Sequence, residues 1–416
     1  MLFPLKKSLT IIIVFGILLL MLLLVLLLQI TVVESDLTSR PLSEPPPSVR
    51  PNHYLRCVGE RLLVDAESRW VGNNSGPGVL PMMVVPLMLD LPDFRELMCN
   101  ITVPVRLLVL VQNGEEPQLS AFLQSLLDAY GWSGRLVVRH HAENIGYSGA
   151  VNVGLRLALS RPREEVPFVF ITNSDVTFSP DLLPRLLQEV HTRTQKDAAR
   201  IDQLEAEVQR EPSGHAPAGR RAKVLRSPHG NSSLSTSALL PDRIRYAPAK
   251  ERANAFSEHY GLFCMNLKES CFTSVILTRL AISSVGFFDE NFYPSYVEDI
   301  DYDVRRRLLG FKKYVTNYGT FVHISNLNLR AARFTMTPTA LWFRRAFELK
   351  AMRIYAFNKW NTDNAGPGSF DEPFNGIIPV DVWVRDDEMI KKVQEYAQMM
   401  LKQCPILTYN TDLLHI

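Results

Sequence analysis

Apolar residues in this chain fall into three kinds of run, and each kind predicts a different element. The first is a single long one. Residues 8–33 carry no charge and are almost entirely Leu, Ile, Val, Met and Phe. That exceeds the roughly 20 residues a helix needs to cross a bilayer, whereas a cleaved leader has an apolar core of about 7 to 15. The second kind is short and continuous. Residues 105–111, 136–138 and 168–171 are rich in β-branched side chains, which predicts strands buried on both faces of a mostly parallel sheet. The third recurs at helical spacing: Leu119, Phe122, Leu123, Leu126, Leu127 and Tyr130 share one face of a helix over Pro117–Tyr130. Gly131 stops it, and a second helix is predicted over about 150–159. Strand, helix, strand, helix, strand is half of an α/β fold that binds nucleotides at the strand carboxyl ends.

Elsewhere the pattern is less regular. Residues 55–102 hold apolar pieces broken by Pro81, Pro86 and Pro92, expected to pack against the main domain rather than to form one. After Pro180, Leu183, Leu187 and Val190 begin a helix. Residues 196–210 are then heavily charged, and 213–234 are poor in apolar residues and rich in Gly, Pro, Arg and Ser. This predicts a surface insertion over about 190–250, partly disordered. Order returns near Tyr260, with an apolar run over 274–282. The cluster Glu298-Asp299-Ile300-Asp301 then opens a helix in which Ile300, Val304 and Leu308 form the buried face and Gly310 marks the end. A strand at 313–315 and the segment 319–323 complete the core.

Composition narrows the class. Apolar and charged fractions of 46% and 21% are those of a globular protein. The net charge of +2 argues neither way on nucleic acid, and none is expected as a partner. Lys6 and Lys7 precede the long apolar run while Glu34 and Asp36 follow it, which predicts a cytosolic tail over 1–7, an anchor over 8–33 and a lumenal body. Pro41, Pro45, Pro46, Pro47 and Pro51 suit an extended stem, within a stem and N-terminal extension spanning 34–102. N-glycosylation sequons stand at Asn73, Asn100 and Asn231. Cys264 and Cys271 are close enough in sequence to pair, as are candidates Cys57 and Cys99, with Cys404 left over. Buried unpaired cysteines are the alternative.

Four polar groups carry candidate chemistry. Thr172-Asn173-Ser174-Asp175 ends the most apolar strand, where a carboxylate can hold a divalent cation against a diphosphate; an Asx turn explains the same residues. Gly146 and Gly149 allow close approach of backbone to a phosphate or base, or merely serve a turn. The acidic cluster at 298–301 supplies a general base, or caps its helix. Successive helical residues lie about 100° apart, so Asp301 is expected to face an arginine such as Arg305 while Asp299 faces elsewhere. His323 is a ligand or a structural histidine.

In this order, the segments VLVQNG, ENIGYSGAVNVGL, TNSD, VGFFDENFYPSYVEDIDYDVRRRLLG and FVHIS resemble the family-2 glycosyltransferases of GT-A fold, especially the rhamnosyl- and galactofuranosyltransferase branch. FNKW at 357–360 and EPFN at 372–375 also look like segments of some members. The resemblance implies an α/β GT-A domain over 103–345, a mostly parallel sheet flanked by helices behind an N-terminal transmembrane helix, with a C-terminal helical extension over 346–416. It implies that Asn173 and Asp175 match the ends of an Asp-x-Asp metal motif and that His323 completes a Mn²⁺ or Mg²⁺ site with Asp175. It further implies that Asp299 is the general base, that Asn113, Asn144 and Gly146 line the nucleotide, and that transfer inverts the sugar. Asn173 departs from the motif by one negative charge. The chain is thus expected to move a sugar, with galactofuranose the first candidate, from a nucleotide-sugar donor to a glycan acceptor in the Golgi membrane. Two other classes stay in view. A sugar nucleotidyltransferase needs a basic, Gly-rich loop where Gln112-Asn113-Gly114-Glu115-Glu116 is acidic. A membrane-anchored carbohydrate-binding or scaffold protein with a decayed site draws on Asn173.

Overall fold

A central parallel strand sets the architecture, and it comes from a stretch that reads poorly in sequence. The structure, a computed structural model, describes residues 53–62, 78–88, 91–210, 244, 247–265 and 271–323, with helical residues between 351 and 360 and between 387 and 395. The apolar run 8–33, the proline-rich stem, Asn73, Asn231, Cys404, EPFN and the insertion over 211–243 lie outside the described residues. Among those described, no helix is long and apolar enough to cross a membrane.

The main elements are α1 His53–Arg61, β1 Met83–Leu87, α2 Leu91–Asn100, β2 Leu108–Asn113, α3 Pro117–Tyr130, β3 Leu136–His141 and α4 Gly146–Ser160. They continue with β4 Phe168–Thr172, β5 Val176–Phe178, α5 Leu182–Arg193, α6 Asp197–Arg210, β6 Tyr260–Cys264, β7 Ser274–Thr278, α7 Arg279–Val285, α8 Glu298–Leu308, β8 Lys312–Val315 and β9 Phe321–His323. Seven strands form one sheet in the order β3-β2-β1-β4-β7-β6-β8, and β5 and β9 form a separate pair. Strands β3, β2, β1 and β4 run parallel, β7 is antiparallel to both β4 and β6, and β8 is parallel to β6. This is a mostly parallel α/β sheet.

The sheet therefore begins at Met83, ahead of the 103 boundary, and the segment holding Pro81, Pro86 and Pro92 supplies its centre. Proline is rare in central strands because it cannot donate to a ladder. Register explains its place here. Met83 N–H donates toward β2 and the Met82 carbonyl accepts from Phe170 in β4, so by alternation Pro86 faces β4. The β1–β4 pairing ends with Val84 opposite Ile171, two residues before Pro86. The missing donor falls where the neighbouring strand has already turned away.

Alternate strand residues feed two cores. Met83, Val85, Leu108, Leu110 and Phe170 pack with α2, α3 and α5 on one face. Val84, Val109, Val111, Val169 and Ile171 pack with α4, α7 and Tyr302 of α8 on the other. The α6 segment belongs to the second core. Its charged sequence suggests a solvated insertion, yet Ile201 and Leu204 are buried and anchor it to the sheet; their spacing makes one narrow apolar stripe, which overall composition hides. Two disulfides form, Cys57–Cys99 joining α1 to α2 and Cys264–Cys271. At the Asn100 sequon, the side-chain oxygen accepts from Phe178 N–H at 2.6 Å and Thr102 donates to the Pro180 carbonyl at 2.9 Å.

Candidate active site

The β1–β4 ladder ends with Val84 opposite Ile171, near the carboxyl ends of the strands and at the point where the strand order switches direction; ligands of α/β sheets bind outside such switch points. The end of β4 is pinned on its far side. Thr172 and Ser274 hydroxyls bond at 2.6 Å, and Asn173 N–H donates to the Thr273 carbonyl at 2.9 Å. The chain then enters β5, which pairs with β9 so that Val176 lies opposite His323. Neighbouring Asp175 Oδ1 consequently sits 3.3 Å from His323 Nε2. A carboxylate oxygen and an imidazole nitrogen on adjoining strands fit a hard divalent cation that takes its remaining positions from donor phosphates and water. Among the described residues the one three-membered group of potential ligands is His53, Cys57 and Cys99, and its two cysteines form a disulfide.

Asn113, Asn144 and Gly146 do come together, at the joint between β2 and α4. Asn113 Nδ2 donates to Asn144 Oδ1 at 2.9 Å and to the Gly146 carbonyl at 3.2 Å. Its Oδ1 accepts from Ile145 N–H at 2.7 Å, and Asn144 Oδ1 accepts from Gly146 N–H at 2.8 Å. Gly146 has φ +79 and sits against Tyr293, 3.0 Å from where a Cβ would lie. Tyr293 in turn donates its hydroxyl to the Asn144 carbonyl at 3.0 Å. The two asparagines thus set the shape of this loop, and glycine is required by both backbone and packing. The helix starts at Gly146 rather than Ala150 because these bonds hold its first turn.

The acidic cluster resolves into three different environments. Asp301 is buried, bonds Arg305 at 2.9 Å as helical spacing predicts, and also accepts from Trp360 Nε1 at 2.9 Å and Lys359 Nζ at 2.7 Å. Burial opposes its ionisation, but the Lys359 and Arg305 charges prevail and hold its carboxyl below the usual range. Glu298 is buried too, with Oε2 bonded to nothing. Burial first, and the Asp299 charge second, push its carboxyl well above the ordinary range. Asp299 is half-buried, with one oxygen accepting from Ile300 N–H at 2.8 Å. Asp301 is thus committed to cations and Glu298 is buried with its ionisation opposed, while Asp299 is the more exposed of the three.

The buried face of α8 differs from the one the apolar residues predict. Ile300 is 39% exposed, whereas Asp301, Tyr302 and Arg305 are inside. Asp301 can occupy the inner face because Arg305, Lys359 and Trp360 bond it, and Arg305 because the Val285 and Phe287 carbonyls accept from it; apolar periodicity does not count such pairs. Just before the helix, Tyr296 and Val297 hold φ of 83 and 73, backbone conformations costly for a bulky and a β-branched residue.

Tyr147, unremarkable in sequence beside its glycine neighbours, links the parts. Its hydroxyl donates to the Phe272 carbonyl at 3.3 Å. Burial raises its pKa, and so do the charges of Glu298, Asp299 and Asp175. Its backbone N–H donates to the Pro294 carbonyl at 2.8 Å, which ties the start of α4 to the segment that leads into α8.

Comparison with known proteins shows the family. A sequence model described as Glycosyl transferase family 2 matches residues 98–228. A curated relative from Leishmania donovani, named "Galactofuranosyl glycosyltransferase", is 34% identical over 362 residues, covering 83% of this chain and 81% of that protein.

Proposed function

The chain belongs to glycosyl transferase family 2 and is a glycosyltransferase, and from that premise we propose that it transfers galactofuranose from UDP-galactofuranose to a hydroxyl of a glycan acceptor, with inversion. The observation that carries this reading is the pairing of β5 with β9 just beyond the end of β4, which sets Asp175 3.3 Å from His323 at the switch point of the strand order. The relative's printed name supports the sugar. A nucleotide-sugar donor and a glycan acceptor follow from membership of the family, which favours neither the sugar nucleotidyltransferase nor the membrane-anchored scaffold alternative.

In the proposed step Asp299 accepts the proton of the acceptor hydroxyl as its oxygen attacks the anomeric carbon. The bond to the nucleoside diphosphate breaks on the opposite face, and the leaving oxygen takes the electron pair. Glu298 sits at the same helix start, where burial opposes its ionisation. Asn113, Asn144 and Gly146 shape the loop that receives the nucleotide. Asp175 and His323 would hold a Mn²⁺ or Mg²⁺, which supplies Lewis-acid stabilisation to the diphosphate when bound. Asn173 leaves that pair with less negative charge than an Asp-x-Asp motif has, so the donor diphosphate contributes more of the charge that retains the metal.

The apolar run 8–33, flanked by Lys6 and Lys7, supports a single-pass type II anchor in the Golgi membrane with the catalytic domain in the lumen. The test uses the full chain in detergent, a panel of UDP-hexoses, UDP-galactofuranose and dTDP-rhamnose, and an oligosaccharide acceptor. Transfer from UDP-galactofuranose that stops on chelation and returns with Mn²⁺ is the expected result. Transfer from another donor alone overturns the sugar, and full activity in excess chelator overturns the metal.

A further inference from the structure

Beneath the acidic cluster lies a buried ionic group that the transfer reaction does not touch. Lys359 is fully buried, with Nζ 2.7 Å from Asp289 Oδ2 and 2.7 Å from Asp301 Oδ1. Asp289 also accepts from the Tyr355 hydroxyl at 2.7 Å and from the backbone and side chain of Asn291. Asp301 is completed by Arg305 and Trp360. Two carboxylates thus meet two cations, and no charge is left over. Phe292 and Val297 pack against Ala351, Met352, Tyr355 and Ala356, with Tyr296 alongside, and Val304 packs against Trp360. Ala351, Met352, Tyr355, Ala356, Lys359 and Trp360 therefore grip α8 ahead of its first turn, within that turn and one turn later.

Stability alone is a weak reason for this arrangement. Removing a lysine and two aspartates from water is costly, and well-packed apolar residues of the same volume are often as stable or more so. What an ion group adds is geometry: each carboxylate must face the ammonium, which fixes the roll of α8 about its axis. The left-handed backbone at Tyr296 and Val297 also persists only where its surroundings hold it, and Ala351, Met352, Tyr355 and Ala356 pack against it. Asp299 lies between Val297 and Asp301, both of which this segment holds.

We propose that Lys359 is a positioning residue for sugar transfer: by clamping residues 351–360 to Asp289 and Asp301 it fixes the direction in which Asp299 meets the acceptor, so the segment beyond the sheet is part of the catalytic unit. This rests on the reading of Asp299 as the base, and the experiment separates the two. Lys359→Met, the charge-balanced pair Lys359→Met with Asp289→Asn, and Asp299→Asn are made in the full chain. Each is measured for thermal unfolding, for UDP affinity by calorimetry, and for turnover per folded molecule at saturating donor. The paired variant removes one cation and one anion together, so it leaves no buried charge unmatched and is expected to fold. Its UDP affinity should stay within about twofold of wild type, because the nucleotide site is on other elements, while turnover falls by at least about tenfold, the scale on which misplacement of a catalytic group acts. A structural role alone would lower the unfolding temperature and leave turnover per folded molecule unchanged. Turnover of the folded pair within twofold of wild type, with Asp299→Asn inactive, overturns the positioning role and spares the base. Normal turnover in Asp299→Asn overturns the base instead. Failure of the paired variant to fold also overturns the proposal, since Lys359 is then a residue of the core.

Discussion

Glu298→Gln exchanges a carboxyl for an amide of nearly the same shape, at a position where Oε2 has no partner. Burial, and then the Asp299 charge, raise the Glu298 carboxyl well above its ordinary 4.5. Below the unfolded value the group is protonated in both states and the fold keeps its full stability. As pH rises past 4.5 the unfolded chain releases the proton and the folded chain keeps it, so stability falls until the folded pKa is reached. The loss is about 1.4 kcal/mol for each pH unit crossed. Glutamine does not titrate, so the variant escapes that slope. Its buried amide N–H groups cost about 1–3 kcal/mol if unbonded, but equally at every pH, so the slope and not the offset carries the test. Urea unfolding of wild type and variant at a series of pH values from about 4 to 7 measures it. The variant should gain on wild type steadily from about pH 4.5 upward, and it should keep its turnover because Glu298 is not the base. Parallel stability profiles would refute the reasoning, as they would mean that Glu298 ionises in the folded protein as readily as in water.

Two further perturbations follow from other parts of the structure. Asn113→Ala removes the acceptor of Ile145 N–H and the donor to Asn144 and Gly146; it should weaken UDP binding by about 1–3 kcal/mol, measured by calorimetry, with turnover at saturation little changed, and unaltered affinity contradicts the loop's role. Gly310→Ala places a Cβ on a residue with φ +85, against the Ala253 carbonyl oxygen; backbone cannot yield as a side chain can, so the fold should lose at least about 2 kcal/mol in urea unfolding, and a loss under about 0.5 kcal/mol would contradict it.

Much of the sheet was legible because its strands are buried on both faces and so appear as unbroken apolar runs. Pro117–Tyr130 is predicted and observed with the same ends, since Pro117 and Gly131 punctuate a strong apolar face. β1 was hidden because Pro86 argues against a central strand, and only the three-dimensional divergence of β4 makes it harmless. α6 was hidden because two buried apolar residues, with buried Asp197 bonded to His259, suffice to anchor a charged helix. At the site, the residues taken from the family resemblance do fall together, Asp175 with His323 and Asn113 with Asn144 and Gly146. The division of labour within 298–301 was only partly legible. Helical geometry separates Asp299 from Asp301, but the partners that bury Asp301 include Lys359 and Trp360, which stand far along the chain and show no periodic signal.

The central claim is that Asp299 removes the acceptor proton during sugar transfer. Turnover of the full chain with UDP-galactofuranose, compared between wild type and Asp299→Asn at saturating donor, tests it most directly. The variant should remain folded and bind UDP with unchanged affinity, while turnover falls by about 10² to 10⁴, the usual worth of a general base. Turnover of Asp299→Asn close to that of wild type would contradict the account.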